Sequence, residues 1–175
     1  MALVVDTFIG DTSIGERIGD TWSIEISPLK LEDCRIEIVE ELRLPLVNRF
    51  YADCKYRVKC GRHDRVYSVI YQNNIIAAAR LIPQASGHFL LRNLCVSIFM
   101  RQKGIAKHLI KHIVTHLPSA NCYCHSLLHL QDFYLSLNFQ HLEPEQVPPE
   151  IGEVYKRDKS RGRSWVLMGY IAQSY

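Results

Sequence analysis

The sequence holds no uninterrupted apolar run approaching the length that would span a bilayer. Residues 1–9 are apolar but include Asp6 and carry no basic flank, so a secretory signal is not expected. Cysteine is present six times, at irregular spacing and in a chain long enough to build its own core. A disulfide framework is therefore not expected; reduced thiols and a cytoplasmic setting are. No Gly-Lys-Ser or Gly-Lys-Thr occurs, which excludes a P-loop, and no three-glycine dinucleotide fingerprint is present. Acidic residues are missing from one long stretch: between Arg65 and Gln131 there is no Asp or Glu.

That acid-free stretch carries Arg80, Arg92, Arg101, Lys103, Lys107 and Lys111, although the whole chain has a net charge of only +3. Such a segment makes a positive field suited to a polyanionic ligand, or simply a solvated basic helix face. It is also where the pattern is sharpest. His88 to Val96 is rich in Leu, Phe and Val and reads as a buried strand. Beyond Arg101 the period changes: Ile105, Ala106, Leu109, Ile110, Ile113 and Leu117 fall at helical spacing, with Lys103, Lys107, Lys111 and His112 opposite. A helix start presents unpaired N–H groups and a partial positive charge, a ready anion site. Gly104 and Ala106 are small enough to let a ligand reach that backbone.

With 175 residues, 47% hydrophobic and 22% charged, the chain fits one globular domain spanning residues 1–175, with residues 1–34 as an extension of unassigned structure. Ala2 to Ile9 and residues 22–26 have strand character. Arg35 to Val39 alternates and is favoured as the first strand of the core sheet. Glu40 to Lys55 reads as a helix with Pro45 near its entry. Lys55 to Arg65 is a basic connector, read as a solvated loop, with an acidic substrate or nucleic acid as alternatives. Val66 to Tyr71 and Ile75 to Leu81 flank Gln72-Asn73-Asn74, residues tolerant of positive φ, and predict a hairpin. Pro83 to Gly87 predicts a second turn. After Pro118 follow a short strand at Asn121 to His125, a short helix at Leu130 to Leu137, a long proline-containing connector from His141 to Arg163, and a last strand at Ser164 to Ile171.

Leu94-Cys95-Val96 followed by Arg101-Gln102-Lys103-Gly104-Ile105-Ala106 resembles the acetyl-coenzyme A motif of the GNAT-type N-acetyltransferase superfamily. A second match, Tyr134-x-x-x-Asn138-Phe139, is similar to the family's Tyr-x-x-x-Gly-Phe, with Asn replacing the left-handed glycine. Ile98 stands where many members have proline. The resemblance covers residues 35–171. It implies an α/β (α+β) fold: a mixed, mostly antiparallel central sheet, a splayed parallel pair formed by the strands at 88–96 and 121–125, and flanking helices. It implies acetyl-coenzyme A as cosubstrate, bound by Leu94, Cys95, Val96, Arg101, Gln102, Lys103, Gly104, Ile105 and Ala106. The turn amides would hold the pyrophosphate, and a strand N–H near Val96 would polarise the thioester carbonyl. Tyr134 would protonate the departing sulfur, since a phenol with a pKa near ~10 keeps its proton at neutral pH.

The expected activity is thus direct acetyl transfer to an amine. The acceptor is placed between residues 50–65 and 141–163 and is otherwise unassigned. No glutamate is available as base in the acid-free stretch; His88, His125, His129, Asn93 through a water, or Asp53 remain open. The rival reading is a non-catalytic acyl-coenzyme A sensor, which needs the turn but no acid or base. No metal is expected from His108, His112 and His116 or from the cysteines, which read as a polar helix face and as packing residues. Partners are the cosubstrate and a small-molecule or protein amine, with no membrane; a homodimer is compatible with the sequence. Nucleic acid is not expected, because no stacking aromatics interleave with the basic residues of the long helix.

Overall fold

A computed structural model describes residues 29–117 and 121–172. The segments with strand character at 2–9 and 22–26 lie outside the described residues. The chain forms a seven-stranded sheet in the order β1-β2-β3-β4-β5-β7-β6. Its strands are β1 (Arg35–Ile38), β2 (Arg65–Tyr71), β3 (Asn74–Pro83), β4 (Phe89–Val96), β5 (Cys122–Leu127), β6 (Gln140–His141) and β7 (Trp165–Tyr170). The helices are α1 (Leu44–Asp53), α2 (Ile105–Thr115), α3 (Gln131–Leu135) and α4 (Pro149–Ser160).

β1 to β4 are consecutive antiparallel neighbours, and the β2–β3 and β3–β4 connections are the two turns that the sequence predicts. Gln72 and Asn73 take φ of 47° and 62°, the geometry of a two-residue hairpin turn whose twist matches its strands. β4 and β5 run parallel, joined through α2, as a crossover requires. Their pairing is short: Phe89, Leu90 and Leu91 face Cys122, Tyr123 and Cys124, and there it stops. Beyond that point β4 stays with β3, up to Val96 against Ala77, while β5 stays with β7, up to Leu127 against Trp165. The sheet therefore forks between β4 and β5.

Helices cover both faces. Ile105, Leu109, Ile110 and Ile113 of α2 pack with Tyr134, Leu137 and Phe139 on one face, over Leu91, Leu94, Cys122 and Cys124. The opposite face carries two separate clusters. One joins Val47, Phe50 and Tyr51 of α1 to Ala78 and Cys95. The other joins Ile151 and Tyr155 of α4 to Leu90, Tyr123 and Leu167.

The segment 141–163 corrects the expectation of a connector. It opens with β6, makes a 3-10 turn over Pro144–Gln146, and then forms α4. Its prolines start a helix rather than prevent one: Pro149 occupies the first turn, where its missing N–H costs nothing. Glu150 in the first turn and Arg157 and Lys159 in the last suit the helix dipole. Ile151 and Tyr155 bury one stripe at i, i+4. The last strand, β7, is not an edge; it inserts between β5 and β6.

Candidate active site

The fork opens into a cavity of about 390 Å³. Its walls include Leu94, Cys95, Val96, Arg101, Gln102, Gly104, Ile105, Ala106 and Tyr134, nearly all of the residues that the sequence singled out. Lys103 is the exception: it is exposed on the turn and takes no part in the lining, while Lys107, one helical turn on, does. Tyr56, Met100, Leu130 and Phe133 also line it, and sequence reasoning missed them. Leu130 and Phe133 could have been found from their proximity to Tyr134. Tyr56 arrives from the far side of the sheet, which no local pattern records.

At one end of the cavity the chain turns from β4 into α2. A single 3-10 turn, Ile98–Met100, fills the place where the family often has proline. Gln102 and Gly104 are both left-handed, with φ of 61° and 77°, on either side of Lys103. Left-handed residues in such a turn aim backbone N–H groups inward, forming an anion-binding nest. Gly104 caps α2 with no side chain on its N–H groups, so the helix's first amides have no side-chain partner. Arg101 Nε donates to the Val96 carbonyl at 3.3 Å, tying the turn to the strand end. Cavity, nest and positive charge together fit a diphosphate ester with a long apolar arm, and so fit coenzyme A.

At the other end stands Tyr134, near-fully buried between the rings of Phe133 and Phe139, at 5.1 and 5.2 Å. Its short helix α3 ends at Leu137 and Asn138, and Asn138 takes the expected left-handed φ of 64°. Burial, reinforced by Cys124 and Cys122, pushes the phenol well above its ordinary pKa, so it keeps its proton. The Cys124 thiol is its polar neighbour. Burial, reinforced by the neighbouring Cys54, also raises the Cys95 thiol. Cys95 therefore remains a thiol and makes a poor nucleophile.

The residues left open as bases are scattered. Asp53 is exposed at the end of α1, and His129 is exposed beyond β5. His88 accepts the Asn121 N–H at 3.2 Å at the far end of β4. Asn93 Oδ1 is taken by Arg80 Nη1 at 2.9 Å. His125 alone sits at the fork, one residue past the last β4–β5 pair. Among the described residues no group of three or more His, Cys, Asp or Glu could hold a metal.

Comparison with known proteins completes the picture. No curated protein matches the sequence. Solved structures match its shape. N-acetylglutamate synthase from Neisseria gonorrhoeae, complexed with coenzyme A and N-acetyl-glutamate, superposes with a TM-score of 0.64 at 16% identity, over 81% of this chain and 35% of that one. The chain thus spans about a third of that synthase. The ribosomal-protein-S18-alanine N-acetyltransferase from Escherichia coli gives 0.56 at 15% identity, over 81% and 96%. Arabidopsis thaliana Naa50, in complex with the bisubstrate analogue CoA-Ac-MVNAL, gives 0.52 at 15%, over 82% and 99%. At such identities these likenesses speak for the fold. The family model Acetyltransferase (GNAT) family matches residues 34–139, from the start of β1 to the Phe139 that closes on Tyr134. Since that match takes in the nest, the fork and more than half of the sequence, the chain belongs to the GNAT acetyltransferase family.

Proposed function

We propose that the protein transfers an acetyl group from acetyl-coenzyme A to an amine of an amino acid or peptide. The observation that carries this reading is the single cavity at the fork, which joins the left-handed nest before α2 to the buried hydroxyl of Tyr134. When bound, the cosubstrate supplies an activated acetyl thioester: an N–C bond forms, the C–S bond breaks, one proton leaves the amine and one reaches the sulfur.

The chain's own groups would do the rest. The amides of Gln102 to Ala106 hold the diphosphate, with Arg101 adding charge. Leu94, Ile105, Leu130 and Phe133 exclude water from the arm. β4 bulges at Asn93, whose φ is 55°, and its register with β3 shifts between Ala78 and Arg80. A bulge frees backbone groups from the ladder, so the segment from Asn93 to Val96 supplies the N–H that polarises the thioester carbonyl. Tyr134 holds a proton toward the cavity. Amine-bearing acceptors enter from the α1/α4 face, where the fork is open. Two of the similar structures, one holding an N-acetylated amino acid and the other a peptide-bearing bisubstrate analogue, support that acceptor class. A cytoplasmic setting belongs to the same reading, supported by Cys34, Cys95, Cys122 and Cys124 serving as buried packing residues.

Calorimetry with coenzyme A tests the first half, and acetyl-coenzyme A turnover over a panel of amines tests the second. One observation favours the non-catalytic alternative: no carboxylate lines the cavity among the described residues. Tight coenzyme A binding with no turnover on any amine would select it.

A further inference from the structure

Along β3, Ala78 belongs to the α1 cluster and Ile82 packs on the α4 cluster; Arg80, on the same face, lies between them. Along β4, Cys95 belongs to the first cluster and Leu90 to the second, and Arg92 lies between. A polar belt thus crosses the sheet between two apolar patches, on the face opposite α2 and α3. Arg80 and Arg92 are cross-strand partners. Like charges directly opposite one another are destabilising unless neutralised.

Arg80 is neutralised: its Nε and Nη2 reach Asp64 Oδ2 at 2.9 and 2.6 Å. Arg163 has Asp158 Oδ1 at 3.8 Å and stacks over Trp165. Arg92 has neither an ion pair nor a hydrogen bond among the described residues, although it is half-buried; burial opposes its charge most, Asp158 attracts it from beyond bonding distance, and both other arginines repel it. Among the described residues the belt thus sets three guanidinium groups against two carboxylates, with Asp158 shared between Arg163 and Arg92. Facing Arg92 across the fork is His125, whose two ring nitrogens are shut off from solvent without a partner; the Ile151 backbone beside it falls outside hydrogen-bonding geometry. The ring is held between Tyr155 and Trp165, at 5.6 and 5.8 Å.

A half-buried guanidinium with no carboxylate in bonding contact is costly, and a carboxylate is the group that its planar fork matches best. Arg92 also lies two residues before Leu94, which lines the cavity, across the bulge at Asn93. An anion held there is within the reach of one small molecule whose amine enters the cavity. We infer that Arg92 is a specificity determinant that grips the carboxylate of the acceptor, so that the acceptor is a free amino acid. This rests on the acetyl-transfer reading above.

The guanidinium itself supplies the test. With coenzyme A present, the Nε–H signal of Arg92, assigned by its loss in Arg92→Lys, is followed by NMR while each of the common L-amino acids is added, and then its amide. The expected result is a saturable shift with at least one amino acid and at least tenfold weaker binding of the matching amide. In turnover, kcat/KM for that amino acid exceeds that for its amide at least tenfold, and Arg92→Gln brings the ratio to about one with KM for acetyl-coenzyme A unchanged. If no amino acid shifts the signal saturably, or if acid and amide shift it alike, the inference is overturned. Coenzyme A binding is measured separately by calorimetry. Failure there overturns the acetyl-transfer reading, while the arginine signal still reports on the carboxylate.

Discussion

The hydroxyl of Tyr134 has the buried thiol of Cys124, on β5, as its polar neighbour at the cavity in the fork. Burial keeps the phenol protonated, and a thiol is a weak enough neighbour to leave that proton free for the departing thiolate. Replacing Tyr134 by Phe removes one oxygen and keeps the ring packed against Phe133 and Phe139. Turnover is expected to fall about 100-fold, with KM for acetyl-coenzyme A changed little. Cys124→Ala is expected to stay within a few-fold of the parent. Steady-state kinetics on both variants checks this. Full activity in Tyr134→Phe would make the tyrosine a packing residue.

Gly104 tests the nest. A Cβ added there meets only Leu31 Cδ1, at 3.5 Å, which is ordinary contact. Its φ of 77° is the obstacle, a left-handed geometry that costs alanine about 1 kcal/mol. Gly104→Ala is therefore expected to lower stability by about that amount. It should weaken coenzyme A binding about tenfold, because either the turn relaxes or a methyl enters the cradle. Calorimetry of binding and thermal melting of the free protein separate the two effects.

Much of this site could be read along the chain because its parts are local. The nest and α2 follow from Arg101 to Leu117 in one run, and the β2–β3 hairpin from Gln72 and Asn73. Asn138 behaves as the glycine substitute its position demands. What escaped depends on register or on context. Asn93 takes a positive φ inside an apolar strand, where nothing in the sequence announces a bulge. α4 escaped because its apolar stripe is narrow and its prolines read as breakers. The meeting of Arg92 with His125 follows from where a parallel pair stops, and no periodicity encodes that.

The ion pair of Arg80 and Asp64 is nearly closed to solvent, with side-chain exposures of 14% and 9%. Asp64 also accepts the Gly61 N–H at 2.7 Å, so it pins the basic connector to the sheet. Breaking one side of a buried pair leaves the other charge stranded. Asp64→Asn is expected to destabilise the fold by about 3 kcal/mol. Arg92→Gln breaks no bonded pair, since Asp158 keeps Arg163, and removing this half-buried charge is expected to leave stability unchanged or raise it by about 1 kcal/mol. Urea denaturation of the two variants, each compared with the parent, reads both signs.

Gly152 lets α4 sit close on the segment before it. A Cβ there would come within 2.5 Å of the Pro144 carbonyl oxygen, a backbone atom with no rotamer to yield. The Glu143–Gln146 turn is itself locked by a capping box. Gly152→Ala is expected to cost about 1–3 kcal/mol despite alanine's better helix propensity. It should also loosen Tyr155, whose hydroxyl donates to the Trp165 carbonyl at 3.1 Å. Melting temperature and Trp165 fluorescence report on both.

His125 gives the fold a pH dependence. Burial, then the Arg92 cation, lowers its pKa to about 4, with Asp158 opposing. Lys159 and Arg163 approach the Tyr155 and Trp165 rings that hold it. In the unfolded chain the imidazole titrates near ~6.5. Between these values the unfolded state binds more protons, so stability rises with pH. The neutral ring's contribution is complete above about pH 6.5 and is lost as pH falls toward 4, a change of about 3 kcal/mol in all. His125→Phe keeps an aromatic ring between Tyr155 and Trp165 but cannot take up a proton. It is expected to flatten the stability profile between pH 6.5 and 4 while leaving the slope below pH 4 in place. Denaturant melts at half-unit pH intervals on both proteins would show the difference, and parallel profiles would mean that His125 is not the group that titrates.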